Sequence, residues 1–410
     1  MKSKCIIFTL AVTLALLQAA QASGRYKVLH NFPDGTSDGY QPYGPLLLDA
    51  KGNLYGTTEA GGDFACGGAG CGTVFELSPQ GNGKWNEQIL HVFADNGDGA
   101  IPLGNLVQNT GSLYGTLRGD GRGTAVFGLT PGSGGWSLSL IYQDGNGPGL
   151  LQDSDGDLYG DIGPGQYYGD AIGELSPTSD GWNYTRLYSF CSQNGCPDGY
   201  DLQTPMVLDG KGNLYGTTYY GGTGQPACWI ALGCGVAFQV TPNGDGAWTY
   251  HVLHRFASFP NDGKTPYGGL VVDASGNAYG VTWAGGRYGN GTFYKLTPSH
   301  QGLWKETILY EFPNCKDGCG PNESLVFDKA GNLYGAAAGG NMTCQGYSCG
   351  VIYKFTPQKN GKWKYIVLHK FNNTDGSGPL GVTLDGKGNI FGTTYGGGQY
   401  GYGVVFEIIP

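Results

Sequence analysis

Asp49-Ala50-Lys51-Gly52-Asn53-Leu54-Tyr55-Gly56-Thr57-Thr58 decides the fold, because the chain repeats it. The Tyr-Gly anchor of this phrase returns at Tyr114, Tyr159, Tyr215, Tyr279 and Tyr334. Phe391-Gly392 is the seventh copy, and the spacings are 59, 45, 56, 64, 55 and 57 residues. A second phrase follows each anchor. It reads Gly72-Thr73-Val74-Phe75-Glu76-Leu77-Ser78-Pro79 in the first unit and centres on Phe127, Ile172, Phe238, Tyr294, Tyr353 and Phe406 in the others. A third phrase opens on Trp and runs through apolar residues to Phe or Tyr: Trp85 to Phe93, Trp136 to Tyr142, Trp182 to Phe190, Trp248 to Phe256, Trp304 to Phe312 and Trp363 to Phe371.

Each unit therefore holds four short strands, predicted in the first at Pro45–Leu48, Asn53–Thr57, Gly72–Leu77 and Asn86–Phe93. Val74 and Glu76 fall on one face and Phe75 and Leu77 on the other, the period of a strand. Gly-Asn and the Pro/Gly-rich joins supply turns. Four strands per unit of roughly 55 residues, seven times over, predict an all-β, seven-bladed propeller. A linear solenoid is the competing arrangement. Independent small domains are disfavoured, since a four-stranded sheet of that size buries little core alone.

The ends favour a ring. The chain after its first 22 residues opens on Tyr26-Lys27-Val28-Leu29-His30-Asn31-Phe32, the third phrase without its Trp, and closes on Val404-Val405-Phe406-Glu407-Ile408-Ile409, the second phrase. The last unit lacks an outer strand and the N-terminus has one to spare. Closing the ring uses it and removes two exposed sheet edges.

Residues 1–22 read as a secretory signal, with Lys2 and Lys4 before the apolar run Ile6–Leu17 and Ala20-Gln21-Ala22 as a cleavage site. Residues 23–410 then form a single propeller domain, with no membrane span and a secreted, cell-surface or periplasmic destination. The full chain has 410 residues and a net charge of −9, which argues against nucleic acid as a partner. Its 78 glycines carry no G-X-Y period, so collagen is excluded, and 13% aromatic residues exclude bulk disorder. A monomer is expected.

The run Leu54-Tyr55-Gly56-Thr57-Thr58, Gly61-Gly62 and Gly72 to Leu77 resembles the bacterial "GloVer" tandem repeat, found in secreted and surface proteins. The resemblance covers nearly all of the chain after the signal. It weakens in unit two, at Leu117-Arg118-Gly119-Asp120, and further in unit three, at Gly160-Asp161-Ile162-Gly163. It implies export and architecture. It implies no reaction and no catalytic residue.

Ten cysteines remain after the signal, in close pairs: Cys66/Cys71, Cys191/Cys196, Cys228/Cys234, Cys315/Cys319 and Cys344/Cys349. In an exported chain these read as five local disulfides. Zinc is the rival, but no pair has a matched second pair or adjacent His. His30, His91, His251, His254, His300 and His369 show no clustered metal spacing, and those in the outer-strand phrase read as fillers of a repeat position. No metal or cofactor is expected. In a four-stranded meander both cysteine-bearing loop classes open on one face of the disc, which also carries the variation in loop length. Variable, stapled loops on a rigid scaffold are where binding concentrates.

That face is predicted to carry Phe64, Tyr167, Tyr168, Tyr219, Tyr220, Trp229, Trp283, Tyr288, Tyr347, Tyr395, Tyr400 and Tyr402. Of these, Trp229, Trp283, Tyr219, Tyr220 and Tyr288 are the candidate ligand-binding residues, with a glycan or a protein as partner. Filling the space between blades is the competing role for each. An Asp-Gly pair precedes every inner strand, at Asp38, Asp98, Asp144, Asp198, Asp262, Asp317 and Asp375, and reads as a turn bonded to its own backbone, with calcium as the alternative. No nucleophile elbow, zincin or phosphate-loop motif is present. Glu59, Asp63, Asp120, Arg118, Asp161, Asp170 and Arg287 could meet on the loop face, which leaves a carbohydrate-active enzyme, a glycoside hydrolase or polysaccharide lyase, as the alternative to a binding or structural module.

Overall fold

A computed structural model describes residues 24–410 apart from 34–37, 95, 119–123, 145–146, 164–170, 223–227, 229–232, 245, 258–261, 300–302, 341–342 and 345–346. Seven antiparallel blades are present. Blade 1 contains Leu47–Leu48, Leu54–Gly61, Thr73–Gln80 and Lys84–Val92, ordered from the inner strand outward. Blade 7 contains Ser377–Leu384, Ile390–Gly396 and Val404–Ile409, and its outer strand is the N-terminal segment Arg25–Asn31. Arg25 pairs with Ile409 and Asn31 with Val404, which closes the ring as the chain ends predict. The inner strand of blade 1 differs from its predicted span. It is split into Gly39–Pro42 and Leu47–Leu48, and within the first piece Gln41 takes a left-handed conformation (φ 57°) and drops out of the register.

The apolar residues are not gathered in one core. They form seven clusters, one for each seam between neighbouring blades. In six seams the Phe that ends the third phrase lies edge-on to the ring of the next blade's second phrase. The pairs are Phe32–Phe75, Phe93–Phe127, Phe190–Phe238, Phe256–Tyr294, Phe312–Tyr353 and Phe371–Phe406, with centroids 5.1–5.8 Å apart. Edge-on pairs contribute about 0.5–1.5 kcal/mol beyond the area they bury. The seam between blades 2 and 3 has Ile172 in place of the ring and uses a stacked Tyr142–Tyr184 pair at 4.6 Å instead.

A one-residue bulge makes the outer strand serve two seams. In blade 1 Ile89 pairs with Phe75 and His91 with Val74, so Leu90 is extra. The same slip occurs in the outer strand of every blade. Residues before the slip face the preceding blade and the residue after it faces the following one.

The repeated phrase is a set of ties. Asp209 accepts from the amides of Lys211 and Asn213, from the Asn213 side chain and from the Tyr215 hydroxyl, at 2.8–3.1 Å. Burial resists ionisation of Asp209, but these donors outweigh it and hold the carboxyl below its ordinary range. Asp273 and Asp328 repeat the arrangement. The first Thr of the phrase reaches the next blade's backbone: Thr217 donates to Gly268 at 3.2 Å, and Thr393 donates to Gly44 across the closure at 2.9 Å. The Gly between Tyr and Thr makes room for the ring of the same blade. A Cβ on Gly216 would lie 2.5 Å from Phe238 Cζ. Gly216→Ala is therefore expected to cost about 1–3 kcal/mol through forced repacking, read as a lower midpoint in denaturant unfolding with unchanged slope.

Candidate functional site

The five predicted disulfides form, Cys66–Cys71, Cys191–Cys196, Cys228–Cys234, Cys315–Cys319 and Cys344–Cys349. Three of them hold loops that cross a seam. The carbonyls of Cys71, Cys234 and Cys349 accept from Ile101, Thr265 and Gly378 of the next blade at 2.8–3.0 Å. Ile101 and Thr265 are β-branched residues held at φ 56° and 51°, and Asp201 sits at φ 69°. This conformation is costly for a β-branched side chain. It turns their carbonyls toward the second strands, where they accept from the amides of Arg118, Trp283 and Tyr219 at 2.8–3.0 Å.

Those three residues stand at the axial mouth of the stapled face. Tyr219 packs edge-on against Tyr267 at 5.6 Å, and Tyr267 is 6.0 Å from Trp283. Tyr267 shares a hydrogen bond with Tyr43 of blade 1. Blades 1 and 5 are not neighbours in the ring, so this contact spans the axis. Tyr395 of blade 7 bonds to Glu59 of blade 1. Burial, and then the Glu59 charge, push the Tyr395 phenol up to about 12. The mouth thus has an aromatic ledge of Tyr219, Tyr267 and Trp283, flanked by Glu59, Arg118 and Asp201. Burial raises the Asp201 carboxyl, opposed by a hydrogen bond from Gln203.

An axial channel of about 410 Å³ is lined by inner-strand residues, chiefly apolar ones such as Leu47, Val107, Val207 and Val326. Glu323 also lines it. It is 8% exposed, and burial pushes its carboxyl up to about 8 against a backbone hydrogen bond from Ser324. Its charge acts on both Tyr43 and Tyr267. A wider surface groove of about 780 Å³ runs over the outer strand of blade 4, past Asp198, His251 and Arg255, away from the mouth.

The predicted ligand-binding residues separate. Trp283, 39% exposed, and Tyr219 reach the mouth. Tyr220 pairs its backbone with Tyr200 and packs on the core between blades 3 and 4. Tyr288 is half exposed but lies beside Arg287 and Glu311, against the outer strand of its own blade. Trp229 lies outside the described residues, as do Tyr167, Tyr168, Asp120 and Asp170. Of the remaining acids, Asp63 caps the short turn Phe64–Cys66 and the buried Asp161 accepts from the Ala171 amide at 3.0 Å. The Asp-Gly aspartates bond further than their own turns. Asp198 accepts from the Cys191 amide and the Tyr188 hydroxyl, and Asp375 from the Asn372 amide and His369. Tyr43, Tyr267 and Glu323 were absent from the sequence-based candidates. Pro-Tyr-Gly, at 42–44 and 266–268, was the available signal for the first two.

These features define a closed seven-bladed propeller with a stapled loop face and an aromatic, acid-flanked axial mouth. The chain belongs to the Gloeobacter/Verrucomicrobia repeat family, whose model matches residues 15–170, 118–346 and 230–410. Among solved structures it is similar to the gluconolactonase XC5397 from Xanthomonas campestris, at 13% identity and a TM-score of 0.44, over 94% of this chain and 90% of that one. It is also similar to a putative 6-phosphogluconolactonase from Bacteroides uniformis ATCC 8492, at 13% identity and a TM-score of 0.46, over 78% and 84%. No functionally curated protein matches the sequence. Among the described residues no helix is long and apolar enough to cross a membrane.

Glu323 has a consequence for stability. Its folded pKa lies above the unfolded one, so its contribution is full below about 4.5 and is lost as pH rises through about 8. Replacing Glu323 by Gln should remove up to about 1.4 kcal/mol per pH unit of that decline across this window. Urea unfolding of both proteins from pH 5 to 9 checks it.

Proposed function

We propose that this is an exported binding module that takes a carbohydrate at the axial mouth of its stapled face. The aromatic ledge of Tyr219, Tyr267 and Trp283 carries this reading. Flat rings with one exposed side suit the apolar face of a sugar ring, and the flanking Glu59, Arg118 and Asp201 suit its hydroxyls. Tyr219 and Trp283 are held by backbone hydrogen bonds to Asp201 and Thr265 of their own blades, so they lose little freedom on binding, which favours affinity. The five disulfides are compatible with an extracellular or periplasmic destination. The most exposed ring of the ledge, Trp283, faces a mouth of mixed charge. This supports a polar, neutral ligand over a strongly charged one.

One observation favours a second reading, a carbohydrate-active enzyme. Glu323 is a buried carboxyl that holds its proton near neutral pH beside Tyr43 and the mouth. A carboxyl so placed suits general acid catalysis.

A glycan-array screen of the oxidised protein, with product analysis on the same polysaccharides, separates the two. Saturable binding without turnover is expected. Trp283→Ala should weaken it about tenfold or more, equivalent to about 1.4 kcal/mol, and Tyr288→Ala should leave it unchanged. Turnover abolished by Glu323→Gln would replace the module with the enzyme. Silence on every glycan would remove the carbohydrate reading.

A further inference from the structure

The seams that close the ring share one polar joint. The residue after each outer-strand bulge meets the Asp of the following Asp-Gly pair. In five of the seven seams the joint is completed by the residue two places after the Trp of the next blade's outer strand, or by Tyr26 at the equivalent place of the Trp-less N-terminal strand. In three seams this third residue is a Tyr whose hydroxyl donates to the Asp carbonyl at 2.5–2.6 Å: Tyr26 to Asp375, Tyr250 to Asp198 and Tyr365 to Asp317. Its ring stacks on the first residue, with centroids 3.9–4.8 Å apart. In two seams the Tyr is replaced by Glu. There the joint becomes His30, Asp38 and Glu87 between blades 7 and 1, and His254, Asp262 and Glu306 between blades 4 and 5.

The geometry points to these two trios as divalent transition-metal sites, each bridging a seam. In each trio one ligand atom per residue lies within 4.8 Å of the others. His30 Nε2 is 3.7 Å from Asp38 and 3.4 Å from Glu87, and His254 Nε2 is 3.1 Å from Asp262 and 3.7 Å from Glu306. Ligand atoms around a tetrahedral ion with bonds of about 2.0–2.1 Å stand about 3.3–3.4 Å apart. One imidazole and two carboxylates is a donor set that zinc accepts, with a fourth position left for water.

Independent observations support a missing partner. Oxygens of all four carboxylates, Asp38 Oδ1, Glu87 Oε1, Asp262 Oδ1 and Glu306 Oε1, are buried with no N–H donor bonded to them, and in each trio the Glu carboxyl lies directly against the Asp carboxyl. Beside the second trio the wholly buried Tyr294 hydroxyl also lacks a hydrogen-bond partner, and burial, then the charges of Glu306 and Asp262, raise its pKa. Buried polar groups are ordinarily paired. The imidazoles are already oriented: His30 lies edge-on to Phe32 at 4.6 Å and His254 to Phe256 at 4.8 Å. The first site would cross-link the N-terminal closing strand to blade 1. All ten cysteines after the signal are paired, so no thiolate competes.

Zinc titration of the EDTA-treated, oxidised protein by calorimetry tests this. Two equivalents are expected, one lost in Glu87→Tyr, one in Glu306→Tyr and both in the double variant. Tyr restores the joint of the neighbouring seams, so these variants should fold, and circular dichroism checks that they do. Zinc should raise the melting temperature of the wild type by several degrees and leave the double variant unmoved. Loss of a single equivalent with only one of the variants would keep that site and overturn the other. No saturable uptake, or equal uptake by the double variant, would overturn both.

Discussion

Contact between a ring on one blade and a ring on the next is the constraint on which this protein depends. A blade of four short strands cannot bury its own faces, so it becomes stable only when neighbours cover both. Phe32 and its five counterparts supply that cover, each fully or almost fully buried against the following blade. A buried Phe contributes about 1.5–3 kcal/mol, which makes these residues the largest repeated term in the seams. The outer-strand bulge is what allows one strand to feed two seams. Without it the residues at both ends of the third phrase would point the same way.

Closure then fixes the mouth. Thr393 and Thr57 tie blades 7 and 1 and blades 1 and 2 through backbone carbonyls close to the axis. The disulfide loops cross the seams between blades 1 and 2, 4 and 5, and 6 and 7, and in the first two they hold Ile101 and Thr265 in a conformation these residues would not choose alone. That strain sets the second-strand ends from which Arg118, Tyr219 and Trp283 project. The site is thus assembled from blades 1, 2, 4, 5, 6 and 7, and no single repeat contains it. A ring built this way can change the loop positions around its mouth while the seams stay constant.

The architecture was legible because the same three phrases recur and because the two chain ends are complementary. The loop face and all five disulfides were legible from cysteine spacing. The site was only partly so. Trp283 and Tyr219 stand out as aromatics in Gly-rich loops, but so does Tyr220, whose role is decided by its pairing with Tyr200 of the same blade. Tyr43 and Tyr267 are 224 positions apart and meet only because the ring closes. The His, Asp and Glu trios were hidden for the same reason. Their members are local or distant by turns, and the bulge that aims them is invisible in a hydrophobic pattern. Alternation of Tyr and Glu two places after Trp was the one trace they left in the sequence.

Deletion of residues 24–32 is the most direct test of the account, because it removes the closing strand and Phe32 and leaves every other blade intact. Equilibrium urea unfolding of this protein, followed by tryptophan fluorescence and circular dichroism together, should show a lower midpoint, a lost coincidence between the two probes and a mouth that no longer forms. A single coincident transition at the midpoint of the intact protein would contradict the account, since the seams would then be stable without the ring.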